Sequence, residues 1–250
     1  MEFRLYALVF SLVLLMGCAD LAAVNKWATT ATDATRFNQV VATYTDTPKR
    51  LSRYAPDQSD EFEAQAAKRN KQAETIRETM RAVEAYMSAL AMLSGDAPVD
   101  LSEDIGTITT NLGELGIANA TTLNAVGEIV SLLGNEAINV WRAERIGDLV
   151  EQGNAPLQDI LGADGQLYDI VSRSLANDLD NERLLLQIYF ATLERDRRTS
   201  PGARAALIEW REQRTTENAR RTAVVEAYKK ILIDLAEGHQ SLYDSRNDLD

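Results

Sequence analysis

The chain has one histidine, His239, and one cysteine, Cys18, in 250 residues. Imidazole or thiol chemistry can therefore be built in only one place each. General acid–base catalysis would need His239 within hydrogen-bond reach of a nucleophile. Its sequence neighbours are Gly238 and the acids Asp234, Glu237 and Asp244, the only histidine-centred set from which a hydrolase or a metal site could be drawn. Such a site needs three or four converging ligands held by further hydrogen bonds. One histidine near the end of a helix predicts a solvated or capping side chain instead. Acids occur in two groups, Asp57, Asp60, Glu61 and Glu63, then Asp178, Asp180 and Glu182. The first lies where a helix N-terminus favours negative charge. The second lacks the glycine and twelve-residue ligand order of a calcium loop, as does "GADGQLYD" from Gly162. Both groups read as solvated faces. Paired Glu-x-x-His di-iron motifs need more histidines than exist, and no phosphate loop, dinucleotide fingerprint or Gly-x-Ser-x-Gly elbow is present. The expectation is a non-enzymatic protein with no metal and no cofactor.

A second type of chemistry is anion recognition. Between residues 195 and 221 stand eight arginines, Arg195, Arg197, Arg198, Arg204, Arg211, Arg214, Arg220 and Arg221, against four acids. Guanidinium groups pair well with carboxylates and phosphates. This arm is a candidate contact for lipid headgroups or an acidic protein surface. The alternative is an exposed face laced with Glu209, Glu212 and Glu217.

Cys18 closes an N-terminal segment with three parts: a start carrying Arg4, an apolar run from Leu5 to Met16, and small residues at the exit. That order is the one expected of an export signal. The run is too short for the roughly 20 residues that span a hydrocarbon core. Leu15-Met16-Gly17-Cys18 resembles the lipobox of bacterial lipoproteins, with leucine three places before the cysteine and a small residue next to it. The resemblance covers only the first 20 residues. It implies that residues 1–17 are a cleaved signal, that the Cys18 thiol takes a diacylglycerol, and that the freed amine is acylated. Each buried methylene adds about 0.8 kcal/mol of membrane affinity, and two or more chains hold stably. Ala19 occupies the place where, in enteric bacteria, an aspartate retains such proteins at the inner membrane; Asp20 comes one residue later. The resemblance therefore implies a lipid anchor at the outer membrane, facing the periplasm.

Removing residues 1–17 takes away one acid and one base, so the net charge of −12 persists. A chain this acidic gains nothing electrostatically from a phosphate backbone, which excludes nucleic acid as the natural partner. With no cysteine pair, stability must come from packing, and 18–250 reads as one domain.

The elements that position these residues are all helices, because long segments repeat at helical spacing and no alternating hairpin pattern occurs. The five prolines, at 48, 56, 98, 156 and 201, fall in or beside breaks. Five long helices forming an antiparallel, elongated bundle are expected. The first runs from Leu21 to Tyr44, followed by a polar, basic connection from Thr45. The second runs from Asp57 or Ser59 to Leu93, with a heptad seam of Phe62, Ala66, Ala73, Ile76, Met80, Val83, Met87 and Leu90 interrupted by Arg69. The third region, Leu101 to Val150, carries Gly106, Gly113, Ala120, Gly127 and Gly134 every seven residues, a stripe that would let a neighbouring helix approach closely. Its other seam is Leu123, Val126, Val130, Leu133, Ala137 and Val140. The fourth helix runs from Pro156 to Arg198, with Gly162 and Gly165 placed to interrupt its start, and "LLLQIYFATL" (184–193) is apolar nearly all round, as for a helix covered on several sides. The fifth runs from Pro201, capped by Ser200, to Tyr243. Its seam holds Val224, Tyr228, Ile231, Leu235 and Leu242, with Arg214, Glu217 and Arg221 replacing apolar positions earlier. A Val-Glu-Ala-Tyr string recurs at an offset of 142 residues, which places Tyr86 and Tyr228 in comparable surroundings. Trp27, Trp141 and Trp210 read as core or staple residues; Trp27, close to Cys18, could instead lean on a bilayer interface.

The chain thus reads as a lipid-anchored helical bundle that presents a surface to a protein partner of unknown identity. Two other classes fit the same composition. One is an immunity or inhibitor lipoprotein whose acidity suits a basic toxin. The other is a hydrolase or metal-binding protein built on His239.

Overall fold

The computed structural model describes residues 21, 24–29, 38–94, 120–135, 142–195 and 199–246. Cys18, Gly106, Gly113, Ala137, Val140, Trp141, Arg197 and Arg198 lie outside them, as do the side chain of Leu123 and the surroundings of Gly134. Every element among the described residues is helical. A helical stretch at 24–29 precedes α1 (Asn38–Leu51), and a 3-10 turn (Pro56–Gln58) leads into α2 (Ser59–Ser94). Then come α3 (Ala120–Asn135), α4 (Arg142–Leu161) and α5 (Gln166–Asp169). The last of these passes through a π-helical segment (Ile170–Leu175) into α6 (Ala176–Glu194), and α7 (Pro201–Asp244) completes the chain. The chain is an all-α bundle.

Its seams follow from the spacing. On α2, Phe62, Ala73, Ile76, Met80, Val83, Met87 and Leu90 are all buried, while Ala66 of the same expected seam is only half-buried. On α3, so are Val126, Val130 and Leu133, and Ala125, Ile129 and Leu132 join them. On α7 the buried set is Val225, Tyr228, Leu232, Leu235, His239 and Leu242, at intervals of three and four; Val224 and Ile231 sit half-buried beside it. Tyr86 and Tyr228 both enter the same core. Helices α6 and α7 run antiparallel, since Glu194 meets Arg211 while Leu179 meets Asn218. So do α4 and α7, where Asn154 Nδ2 donates to Gln240 and Gln158 Nε2 to the Ala236 carbonyl. A satellite cluster of Tyr54, Leu186 and Phe190, with Tyr189, Leu207 and Trp210 against it, locks the outer part of the α6–α7 pair. Its rings meet edge to face, Phe190 and Trp210 at 5.0 Å, an arrangement worth about 0.5–1.5 kcal/mol beyond burial.

Several expected boundaries move. The first helix does not stop at Tyr44; α1 continues to Leu51 with Pro48 inside it. Proline removes the N–H that would bond the carbonyl four residues back, here that of Tyr44. Arg69 Nη1 donates to that oxygen at 3.2 Å, so the helix survives its proline. Pro156 likewise sits within α4 and does not open a helix; the break falls at Gly162–Gly165, where the backbone turns with Gly165 N–H bonding the Gly162 carbonyl. The region expected as one helix to Val150 is divided between α3 and α4. Ser200 does cap α7, its side chain accepting from the Ala203 N–H.

Two packing expectations are corrected. The 184–193 run is covered on one side only among the described residues: Leu186 and Phe190 are buried, whereas Leu184 and Ile188 are 47% and 64% exposed. Gly127 faces open space among the described residues, so no described helix approaches the stripe at that position; the surroundings of its other members lie outside what is described. The close approach occurs elsewhere. A Cβ on Gly153 would sit 2.6 Å from the Tyr86 ring, and one on Gly238 2.7 Å from Cδ1 of Trp27. Trp27 thus leans on α7 and the His239 ring at 5.6 Å, in the packed end of the bundle. Tyr86 is fully buried and cannot swing aside. Gly153→Ala is therefore expected to destabilise the fold by about 1–3 kcal/mol. Gly127→Ala, on an open helix face, should stabilise it by about 0.5–1 kcal/mol. Urea denaturation of both variants tests the pair, and effects of equal sign would contradict this packing.

Candidate functional site

His239 is the first candidate, and the structure moves it from the surface to the core. It is 0% exposed, because it occupies a seam position of α7 between Leu235 and Leu242. Its Nδ1 stands 2.9 Å from Asn154 Oδ1 and its Nε2 2.6 Å from the Tyr86 hydroxyl. With the amide placed this way, a neutral imidazole satisfies both contacts in one tautomer: Nδ1–H donates to Asn154, and Nε2 accepts from Tyr86. The Leu149 carbonyl stands 3.0 Å from the same hydroxyl and competes with Nε2 for its single proton. Burial pulls the His239 pKa down to about 4 and pushes that of Tyr86 well up. The expected solvated, capping histidine is thus a packed one. The acids near it in sequence point elsewhere: Asp234 is exposed and bonded to Lys230, and Glu237 and Asp244 are exposed. Among the described residues no group of three or more His, Cys, Asp or Glu could hold a metal ion. The geometry that a His239-centred hydrolase or metal site requires is not present there.

The second site begins with a carboxylate. Glu182 continues the apolar seam of Leu175, Leu179, Leu186 and Phe190, so it is carried inward and left 1% exposed. A buried charge must be paired. Arg50 from α1 donates Nε to both Glu182 oxygens at 3.1 and 3.2 Å, and Arg221 from α7 donates Nη2 to Oε1 at 2.8 Å. Arg50 Nη2 also donates to Thr47 Oγ1, which passes its own proton to the Thr43 carbonyl. Burial lowers the Arg50 pKa, Glu182 opposes that, and the nearby Arg221 charge adds to the lowering. A guanidinium remains charged throughout. Asn218, a turn before Arg221, donates to the Leu179 carbonyl at 3.1 Å and sets the register of the two helices.

Between α1 and α7 these arginines line a cleft of about 380 Å³, whose walls are Ala42, Thr43, Asp46, Lys49, Arg50, Arg53, Arg214, Glu217 and Arg221. Asp46, Lys49 and Arg53 are exposed at its rim. Arg214 is paired with Glu217 at 2.9 Å. Lys49 and Arg53 form no ion pair among the described residues, and Arg221 Nε is buried without a partner. Five cations converge where the lining supplies two acids.

The arginine arm expected at 195–221 is thereby divided. Arg214 and Arg221 enter the cleft; Arg211 pairs with Glu194 at 2.5 Å across the α6–α7 hairpin; Arg195, Arg204 and Arg220 are exposed. The acids at 178–182 are not a solvated face. Asp178 is paired with Arg69 at 2.5 Å, Glu182 is buried, and only Asp180 remains exposed beside Arg183. Asp57, Asp60, Glu61 and Glu63 are exposed at the start of α2, as their place at a helix N-terminus implies. Lys49, Arg50 and Arg53 had been assigned only to a basic connection. Their signal was the repeat of cations at 49, 50 and 53, one helical turn, directly after a proline that the helix tolerates.

No protein-family model matches the chain, and neither does any curated protein or solved structure compared with it.

The buried imidazole has a consequence for stability. The unfolded chain takes up its histidine proton near pH 6.5, whereas the folded one resists until about 4. The His239 contribution to stability is intact above pH 6.5, falls as pH drops toward 4, and is constant below. The loss at pH 4 amounts to about 3 kcal/mol. Urea titrations of the native chain and of His239→Gln at pH 7, 5.5 and 4 isolate it from carboxylate effects common to both. The stability difference between them should shrink by about that amount; a constant difference would mean that the folded histidine titrates normally.

Proposed function

We propose that the protein is an envelope lipoprotein, tethered through Cys18, whose bundle acts as a non-enzymatic binding module. The cleft between α1 and α7 carries this reading. In a chain of net charge −12, five cations drawn from two distant segments gather around one opening, and a buried carboxylate orders two of them. A merely solvated basic face would scatter such residues and pair them with neighbours one turn away. The lipobox supplies the location, and an anchor of two or more chains would raise the concentration of the cleft at one membrane surface. No helix among the described residues is long and apolar enough to cross a membrane, so attachment in this reading falls to the acyl chains.

The tether is tested by Cys18→Ser in a bacterial host. The native chain should incorporate a fatty-acid analogue and fractionate with membranes. The variant should lose the label and leave the membrane fraction. A variant that remains labelled and membrane-bound would refute the lipoprotein assignment.

A further inference from the structure

We propose that the α1–α7 cleft is a binding site for a phosphate monoester group. The inference deepens the reading of the cleft as a binding site but does not depend on Cys18.

Charge comes first. Lys49, Arg50, Arg53, Arg214 and Arg221 face Asp46 and Glu217 in the lining, with Glu182 paired to two of the arginines. Five cations against three carboxylates leave two positive charges without an internal counterpart. A phosphate monoester carries about −1.5 to −2 near neutral pH, which matches that surplus; a single carboxylate would leave half of it uncompensated.

Geometry is the second ground. Arg50 and Arg221 are held by one carboxylate, so each presents a fixed guanidinium plane. The Nε of Arg221, beneath the cleft surface, is a buried donor with no hydrogen-bond partner among the described residues, and leaving such a donor unpaired is costly. Three terminal oxygens can take N–H donors from two guanidinium forks together, whereas one carboxylate fills a single fork. Size is the third. About 380 Å³ lies near the lower limit of small-molecule pockets, which suits a phosphorylated small molecule or one lipid headgroup.

The test uses the full chain carrying Cys18→Ser, so that membrane attachment does not obscure binding. Calorimetric titration with glycerol 3-phosphate, with acetate as the carboxylate control, examines the soluble source. Sedimentation with phosphatidylcholine vesicles, with and without phosphatidic acid, examines the headgroup source. Glycerol 3-phosphate should bind saturably and more tightly than acetate. The double variant Lys49→Glu/Arg53→Glu alters two exposed cations without ion pairs and so spares the buried network; it should weaken binding about tenfold. Arg204→Glu, at the exposed start of α7, should leave binding unchanged. Vesicle binding that requires phosphatidic acid and is lost in the double variant, without binding of the soluble ester, assigns the site to a headgroup. Absence of both kinds of binding, equal weakening by Arg204→Glu, or acetate binding as tightly as the ester overturns the proposal. Should Cys18→Ser stay on membranes, the tether fails while the titration still stands; a failed titration leaves the tether untouched.

Discussion

The arrangement of the outer half of the bundle depends on one charge that cannot be left alone. Glu182 is carried into the core by the helical repeat of its neighbours, because Leu179 and Leu186 on the same stripe must be covered. Stripping water from a carboxylate costs several kcal/mol, and the cost is met only if cations arrive from elements on either side. Arg50 brings α1 and Arg221 brings α7. The distant α1 is thus fixed to the α6–α7 hairpin by the requirement to neutralise a single group. Apolar packing alone would permit sliding between them; a carboxylate with two directional partners does not.

A second polar knot one turn away repeats the principle with different parts. Arg69 interrupts the seam of α2, and it meets three demands together: the Tyr44 carbonyl freed by Pro48, the face of the Tyr44 ring at 4.7 Å, and the Asp178 carboxylate. Tyr44 returns a hydrogen bond to Gln72 on the same helix as Arg69. Asp178 and Glu182 are one turn apart on α6, so the two knots pin α1 at Tyr44 and again at Arg50. The stretch between those points contains Pro48, and its helical form places Lys49 and Arg50 on the wall that faces α7, with Arg53 following in the turn after Leu51. Without the proline-compensating arginine this segment would have the freedom of a loop, and its cations would not converge.

The extent to which this was legible in the sequence follows from the kind of signal involved. The helical class and the seams of α2 and α3 are periodic, a signal carried by the segment itself; on α7 the expected seam is displaced by one residue at Val224 and Ile231, where Val225 and Leu232 are the buried ones. Element ends were legible where a cap or break is local, as at Ser200 and Ser59, and were misplaced where a proline is tolerated by a distant partner, as at Pro48. Nothing near residue 48 announces that Arg69 will supply the missing donor. His239 was misplaced for the opposite reason: attention to its chemistry and its distance from the C-terminus hid its register. Counted from Leu235 and Leu242 it lies on the seam, and its burial could be read from that alone. Glu182 shows the same pattern, since a charge on an otherwise apolar stripe is a statement that a partner is coming. Which partner is a tertiary fact, because Arg50 lies 132 residues away.

These two buried polar groups serve opposite ends. His239 is closed in by Tyr86, Asn154 and Trp27, both ring nitrogens in contact with a polar partner and the side chain shut from solvent. Glu182 is as deeply buried, yet the arginines it orders are partly exposed and end in a cleft with donors to spare. The strongly acidic character of the whole chain does not cancel that field. At physiological ionic strength the screening length is about 8 Å, so remote carboxylates act weakly on an anion inside the cleft, while the five cations lining it act at close range through a less polar medium. The same screening limits long-range attraction of an anion toward the protein. Recognition at the proposed site then rests on the fixed geometry of Arg50 and Arg221, which Glu182 holds together with Thr47.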